Sequence, residues 1–167
     1  ISATRHLVDF SADGIDAAIR YGKGNWPDVT AIQLGTEKIL PVCSPEYARR
    51  IDLETPADLL NATLIYGDIA EDWGKWFAAA GLSGATLPRG PKLGDDTAIL
   101  QAALDGQGVA LGRSLLAAED LASGRLIAPF QTRLEASYSY WFVQPKTAAP
   151  NPNLTAIRDW IVAEFGG

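Results

Sequence analysis

Short apolar runs alternate with capped, helix-periodic segments along nearly the whole chain, and this alternation limits the possible folds more than any other feature. Residues 15–21, 30–34, 39–43, 63–66, 109–111, 126–130 and 138–143 read as strands, the last rich in aromatic and β-branched residues. Between them, Ser44 followed by Pro45 is an N-cap with proline at the first helical position, and Thr55, Pro56 and Asp58 repeat the device. Trp73, Trp76, Phe77 and Ala80 share one helical face that Gly81 stops. Asp96 is placed to cap a helix burying Ile99, Leu100, Ala103 and Leu104, closed by Gly106 as a left-handed residue. Ser114 caps the next helix, which ends at Gly124. A last helix begins behind Asn153 and presents Leu154, Ile157, Ile161 and Phe165. Strand and helix in alternation predict an α/β protein with a mainly parallel sheet covered by helices.

Charge narrows the partners. The chain carries 14 Lys and Arg against 20 Asp and Glu, a net charge of −6, and its densest basic cluster is Arg49 with Arg50. Phosphate backbones are repelled overall, so nucleic-acid contact by these residues is not expected. The apolar runs, such as 115–118, fall far short of the ~20 residues of a membrane span. A single cysteine, Cys43, excludes an intrachain disulfide, and no charged-then-apolar leader precedes Ile1; a cytoplasmic location is the expectation. Methionine is absent, even at position 1, which suggests a piece of a longer protein.

Catalytic constellations are scarce. One histidine, His6, and one cysteine offer few nucleophile–base pairs, and a solvated imidazole is the simpler reading of His6. No cluster of His and Cys suggests a metal site, and no cofactor is expected. Asp95 with Asp96 could hold a magnesium ion, but adjacent acids ahead of an apolar helix more simply serve as a cap and a first-turn charge. Gly106, Gly108 and Gly112 follow a helix and enter a strand, the reverse of a dinucleotide fingerprint. An enzyme is therefore not expected.

The stretches VDFSADGIDAAIRYG (8–22), LPVCSPEYA (40–48), WFAAAGL (76–82), LGDDTAILQAALDGQGVALGRSLLAAEDLASGRLIAPF (93–130) and YSYWFVQP (138–145) stand in an order that resembles the effector-binding domain of LysR-type transcriptional regulators. The resemblance is to the subgroup that contains the glycine-cleavage activator in particular. It implies a two-lobed fold like a type II periplasmic binding protein, with two crossing strands and a small ligand in the interlobe cleft. Residues 1–41 and 141–167 would form lobe I and residues 42–140 lobe II. The family's DNA-binding winged helix, linker helix and first strand and helix of lobe I are missing from the sequence, so lobe I would be incomplete.

Ligands of open α/β sheets bind beyond the carboxyl ends of strands and at helix N-termini, which nominates a small set of residues. Tyr21 ends the first strand, where it is equally a strand-end aromatic. Ser44 sits where a strand meets a capped helix, and capping alone is the simpler of its two readings, the other being ligand contact. Asp96 and Thr97 open a helix whose N–H groups, with the Thr97 hydroxyl, suit a carboxylate; the negative Asp96 would oppose one unless a cation such as Arg113 intervened. Arg113 could reach a ligand or simply a nearby Asp. Tyr140 lies two residues from Tyr138 on one strand, so both point the same way. Trp73, Trp76 and Trp160 read as core, and Trp26 as a loop residue.

By resemblance the function is sensing: an amino acid, small carboxylate or related metabolite binds the cleft and biases a DNA-binding dimer or higher oligomer. Contact with DNA would come only through the winged helix, and no membrane is involved. A transport-type solute-binding protein of the same architecture is the alternative.

Overall fold

A computed structural model describes residues 9–68 and 71–165. Its helices are α1 (Phe10–Asp13), α2 (Pro45–Arg50), α3 (Trp73–Ala79), α4 (Asp96–Leu104), α5 (Ala118–Ala122) and α6 (Pro152–Phe165), with a 3₁₀ helix at Pro56–Asn61. Its strands are β1 (Ala18–Gly22), β2 (Val29–Gln33), β3 (Lys38–Val42), β4 (Leu64–Ile65), β5 (Val109–Arg113), β6 (Leu134–Glu135) and β7 (Ser139–Pro145). The chain divides into two compact units. Described residues up to Thr36, with those from Ser137 onward, form one, and Glu37–Ala136 the other. These changeovers fall at 36/37 and 136/137, not at 41/42 and 140/141, because among the described residues β3 pairs with β5 and β6 whereas β7 pairs with β1 and β2.

In the first unit a three-stranded sheet runs in the order β1-β7-β2, with both pairings antiparallel. Central β7 buries Phe142 and Val143. The run at 15–21, predicted as a buried strand, begins only at Ala18 and is half-exposed, since among the described residues β1 has a partner on one side alone. Helix α6 starts at Pro152, before Asn153. Its cap is Asn151, whose Oδ1 accepts from the Asn153 and Leu154 N–H groups at 3.0 and 3.3 Å. Trp160, predicted as core, is 63% exposed on α6.

The second unit holds a sheet in the order β4-β5-β3-β6, and only β4–β5 is parallel. The expectation of a mainly parallel sheet is corrected on this point. Parallel neighbours need a covering crossover, which only the α3–α4 stretch between β4 and β5 supplies. Successive residues of β3 and its continuation face opposite ways: Ile39 and Cys43 join one buried cluster, Leu40 and Val42 the other.

The first of those clusters is built on α3. The Trp76 ring meets Trp73 and Phe77 edge-on at 5.9 and 5.5 Å, and each indole N–H finds a carbonyl at 3.1 Å, Trp73 that of Ile65 and Trp76 that of Thr132. The second cluster packs Ile99, Leu100, Ala102 and Ala103 of α4 beneath β3 and β5. Leu104, predicted on that face, is only partly buried at its edge.

Capping follows the sequence in part. Ser44 Oγ accepts from Tyr47 N–H at 3.2 Å, and the Asp58 carboxylate accepts from Thr55 N–H and Oγ1 at 2.6 and 2.9 Å, although a 3₁₀ rather than an α-helix follows. Ser114 does not cap α5, which begins at Ala118 without a side-chain cap. Its hydroxyl instead accepts from Lys38 N–H at 3.0 Å, tying the end of β5 to the start of β3. Gly106 takes φ +68° behind α4, a conformation that L side chains pay strain to adopt. Among the described residues, no helix is long and apolar enough to cross a membrane.

Candidate functional site

The start of α4 is organised by two adjacent carboxylates with separate tasks. Asp95, not Asp96, is the N-cap: its Oδ1 accepts from the Thr97 and Ala98 N–H groups at 3.0 and 3.1 Å. A capping residue needs extended backbone, and Asp95 has it at φ −137° and ψ 128°, while Asp96 is already the first helical residue. Relieved of capping, Asp96 turns to Arg113 at the end of β5, with Oδ2 2.8 Å from Nη2. The Arg113 side chain is only 14% exposed and that of Asp96 33%, so solvent screens this pair less than a surface one. Thr97, the next residue of the helix, is exposed, and its hydroxyl has no hydrogen bond to any described residue.

This placement revises the chemistry of the end. Two N–H groups of the helix start are already taken by Asp95, so a bare backbone anion cradle is not what the fold offers. It offers instead a carboxylate and a guanidinium side by side, with an open hydroxyl. Such a neutral, dipolar pair suits a ligand that carries both charges or exchanges one of them.

Ser44 stands apart from these three. Val42 pairs with Ala110 and Ile39 with Arg113, so Ser44 lies beyond the end at which β5 begins, while Arg113 closes the other. Its own N–H donates to Ala103 O at 3.2 Å, in the last turn of α4. The nine residues of α4 put roughly 12 Å between that turn and Asp96. Buried, with its hydroxyl spent on Tyr47 N–H, Ser44 is a cap.

In the first unit, Tyr21 and Tyr140 are direct cross-strand partners on β1 and β7, with ring centroids 4.8 Å apart. Tyr138 meets Tyr21 edge-on at 5.8 Å, so Tyr138 and Tyr140 share a face. Phe165 of α6 lies 6.2 Å from Tyr140, and both Tyr21 and Tyr140 are half-buried. Trp26, in its loop, lies under the Arg20 guanidinium at 5.5 Å.

His6 lies outside the described residues. Cys43 is buried, and burial pushes its thiol up to about 11, so at neutral pH it is a protonated apolar group. Among the described residues, no group of three or more His, Cys, Asp or Glu is placed to hold a metal ion. A cavity at the end of β4, beside Tyr66 and Arg89, is not singled out by sequence. Its only trace there is the Gly/Pro-rich stretch 84–94, which reads as plain loop.

The comparisons with known proteins agree with this architecture. The family model described as the LysR substrate binding domain matches residues 1–166. The glycine cleavage system transcriptional activator of Escherichia coli K12 is 36% identical over 165 residues, 98% of this chain and 54% of that protein. The HTH-type transcriptional activator AmpR of Pseudomonas aeruginosa is 36% identical over 163 residues, 97% of this chain and again 54% of the relative. The chain thus spans about half the length of these relatives. Among solved structures, the effector domain of AmpR from Pseudomonas aeruginosa has a TM-score of 0.79 at 35% identity, covering 96% of this chain and 77% of that one. The AmpR effector binding domain from Citrobacter freundii has a TM-score of 0.79 at 30% identity, covering 96% and 79%. The fold is accordingly the periplasmic-binding-protein-like α/β fold of those domains. The relatives regulate transcription, and the transport-type alternative draws no support from them. By the extent of the match and the fold together, this chain belongs to the LysR substrate-binding domain family.

Proposed function

We propose that the chain is the effector-sensing part of a cytoplasmic LysR-type transcriptional regulator that works as a homodimer or higher oligomer and reaches DNA through a separate winged helix. The effector is an amino acid or small carboxylate, and its anchor in the second unit is the Asp96, Thr97 and Arg113 group. The observation that supports this is the Arg113–Asp96 pair at 2.8 Å, with the exposed Thr97 next in the chain. An α-amino acid brings an ammonium to Asp96 and a carboxylate to Arg113, exchanging one ion pair for two. A plain carboxylate competes with Asp96 for the guanidinium, and Thr97 donates to either. The Tyr21–Tyr140 pair is the first unit's own candidate for ligand contact, through ring faces that suit a partly polar metabolite. Binding that favours one conformation of the chain would be passed to the DNA-binding part as a population shift.

Isothermal titration against a panel of amino acids and small carboxylates tests this. A ligand that binds the chain should lose affinity by roughly tenfold in Thr97→Val, which deletes one hydrogen bond at nearly constant volume, and by more in Arg113→Gln. Unchanged affinity in both variants would remove this group from the site.

A further inference from the structure

A solvent-open cavity of about 500 Å³ lies wholly within the second unit, between the end of β4 at Tyr66 and Gly67 and the loop 87–92. That volume is in the range of small-molecule sites, roughly 300–1,000 Å³. Its walls are stitched together. Tyr66 N–H donates to Pro91 O and Leu93 N–H to Tyr66 O, each at 2.9 Å, and the Tyr66 hydroxyl donates to Pro88 O. At Gly90 an added Cβ would sit 1.8 Å from Leu64 O, so only glycine lets the loop approach β4 this closely. The result is a pre-formed cavity with apolar surface from Leu87, Pro88 and the Tyr66 ring.

Its charges do not cancel. Lys92 Nζ lies 2.6 Å from Asp68 Oδ1, whereas Arg89 makes no hydrogen bond or ion pair to any described residue. On a chain of net charge −6, this leaves the Arg89 guanidinium without a counter-charge among the described residues, in a lining that mixes polar and apolar groups. We propose that the cavity binds a small organic carboxylate with a compact apolar body. The carboxylate is gripped by Arg89 through paired N–H···O bonds, and the apolar body lies on Leu87, Pro88 and Tyr66. Lys92 keeps ammonium donors to share beyond Asp68.

The carboxylate's grip comes from Arg89 and not from the Asp96–Arg113 pair, although Lys92 stands only four residues before Asp96. The parallel register Ile65↔Ala110 sets Gly67 level with Gly112, and the segment at Lys92 bridges Tyr66 on the far side of β4. The Lys92 segment therefore lies two strand spacings, roughly 10 Å, from β5, while Tyr66 and Gly67 of the lining lie one spacing from it.

The test uses 3-phenylpropionate and its uncharged amide, 3-phenylpropionamide, followed by ¹H–¹⁵N correlation spectra of the chain. The carboxylate should shift the Gly67 and Gly90 amides saturably at millimolar concentration, and the amide should bind at least tenfold more weakly. Arg89→Gln should weaken the carboxylate at least tenfold, Arg89→Lys less, and Arg113→Gln not at all; the dispersion of each variant's spectrum verifies its fold. Equal responses to acid and amide, or an unaltered titration in Arg89→Gln, would overturn the proposal. So would shifts that vanish in Arg113→Gln but persist in Arg89→Gln, which would place the acid at the other group.

Discussion

Arg113 and Asp96 are held 2.8 Å apart, the last residue of β5 against the first residue of the helix that leads into it. The contact exists because Asp95 takes over the capping of α4, leaving Asp96 free to face the strand end. Two neighbouring acids of the same type thereby acquire distinct roles, and substitution separates them. Asp95→Ala should cost about 1 kcal/mol of stability through the lost cap. Asp96→Ala should keep the cap, lose stability only through the broken Arg113 pair, and alter ligand binding. Amide exchange at Thr97 and Ala98 reads the difference: it should quicken in Asp95→Ala alone, and an equal change in both variants would contradict the division.

How far the sequence revealed this can be judged at the same two residues. It showed a polar helix start beside a strand end, but capping depends on which residue has extended backbone, a difference of one position that apolar periodicity does not resolve. Gly106 and Gly81 were legible as helix stops because a left-handed residue has few alternatives to glycine. Strand direction was not legible. Alternating elements suggest parallel neighbours, but β3, β5, β6 and β7 meet partners distant in sequence, and local pattern carries no sign for such pairings. Ser44 resembled Thr97 as a hydroxyl at a helix start, and only the register of β3 on β5 places it at the opposite end of the sheet. The Arg89 cavity had no local signature, since a loop and a strand end make it together.

The tryptophans divide by environment. Trp76 is fully buried and donates to Thr132 O, so Trp76→Ala should destabilise the chain by roughly 3–5 kcal/mol through the cavity and the orphaned carbonyl. Trp160 is 63% exposed on α6, and Trp160→Ala should cost under about 1 kcal/mol. Chemical denaturation of the two variants checks the contrast.

Gly106→Ala should cost about 1–2 kcal/mol, because φ +68° is strained for any residue with a Cβ. The thermal midpoint should fall accordingly, and an unchanged midpoint would mean that the turn relaxes at no cost.

Cys43 predicts a sensitivity to alkali. Burial raises its thiol from 9.0 to about 11, so the unfolded chain loses that proton before the folded one. The associated stability is intact below pH 9.0 and is lost progressively as the pH rises towards about 11, a contribution of roughly 2–3 kcal/mol. In Cys43→Ala the neutral-pH stability should be lower but this part of the alkaline decline should be missing. Unfolding free energies at pH 8, 9 and 10 compare the two, and parallel declines would count against it.

The effector anchor is tested most directly by amide spectra of the chain, recorded during titration with whichever amino acid or carboxylate binds it by calorimetry. The account predicts saturable shifts concentrated at Asp96, Thr97, Ala98, Arg113 and Ser114, lost in Arg113→Gln. Shifts absent from those residues, or a response unaltered in Arg113→Gln, would contradict it.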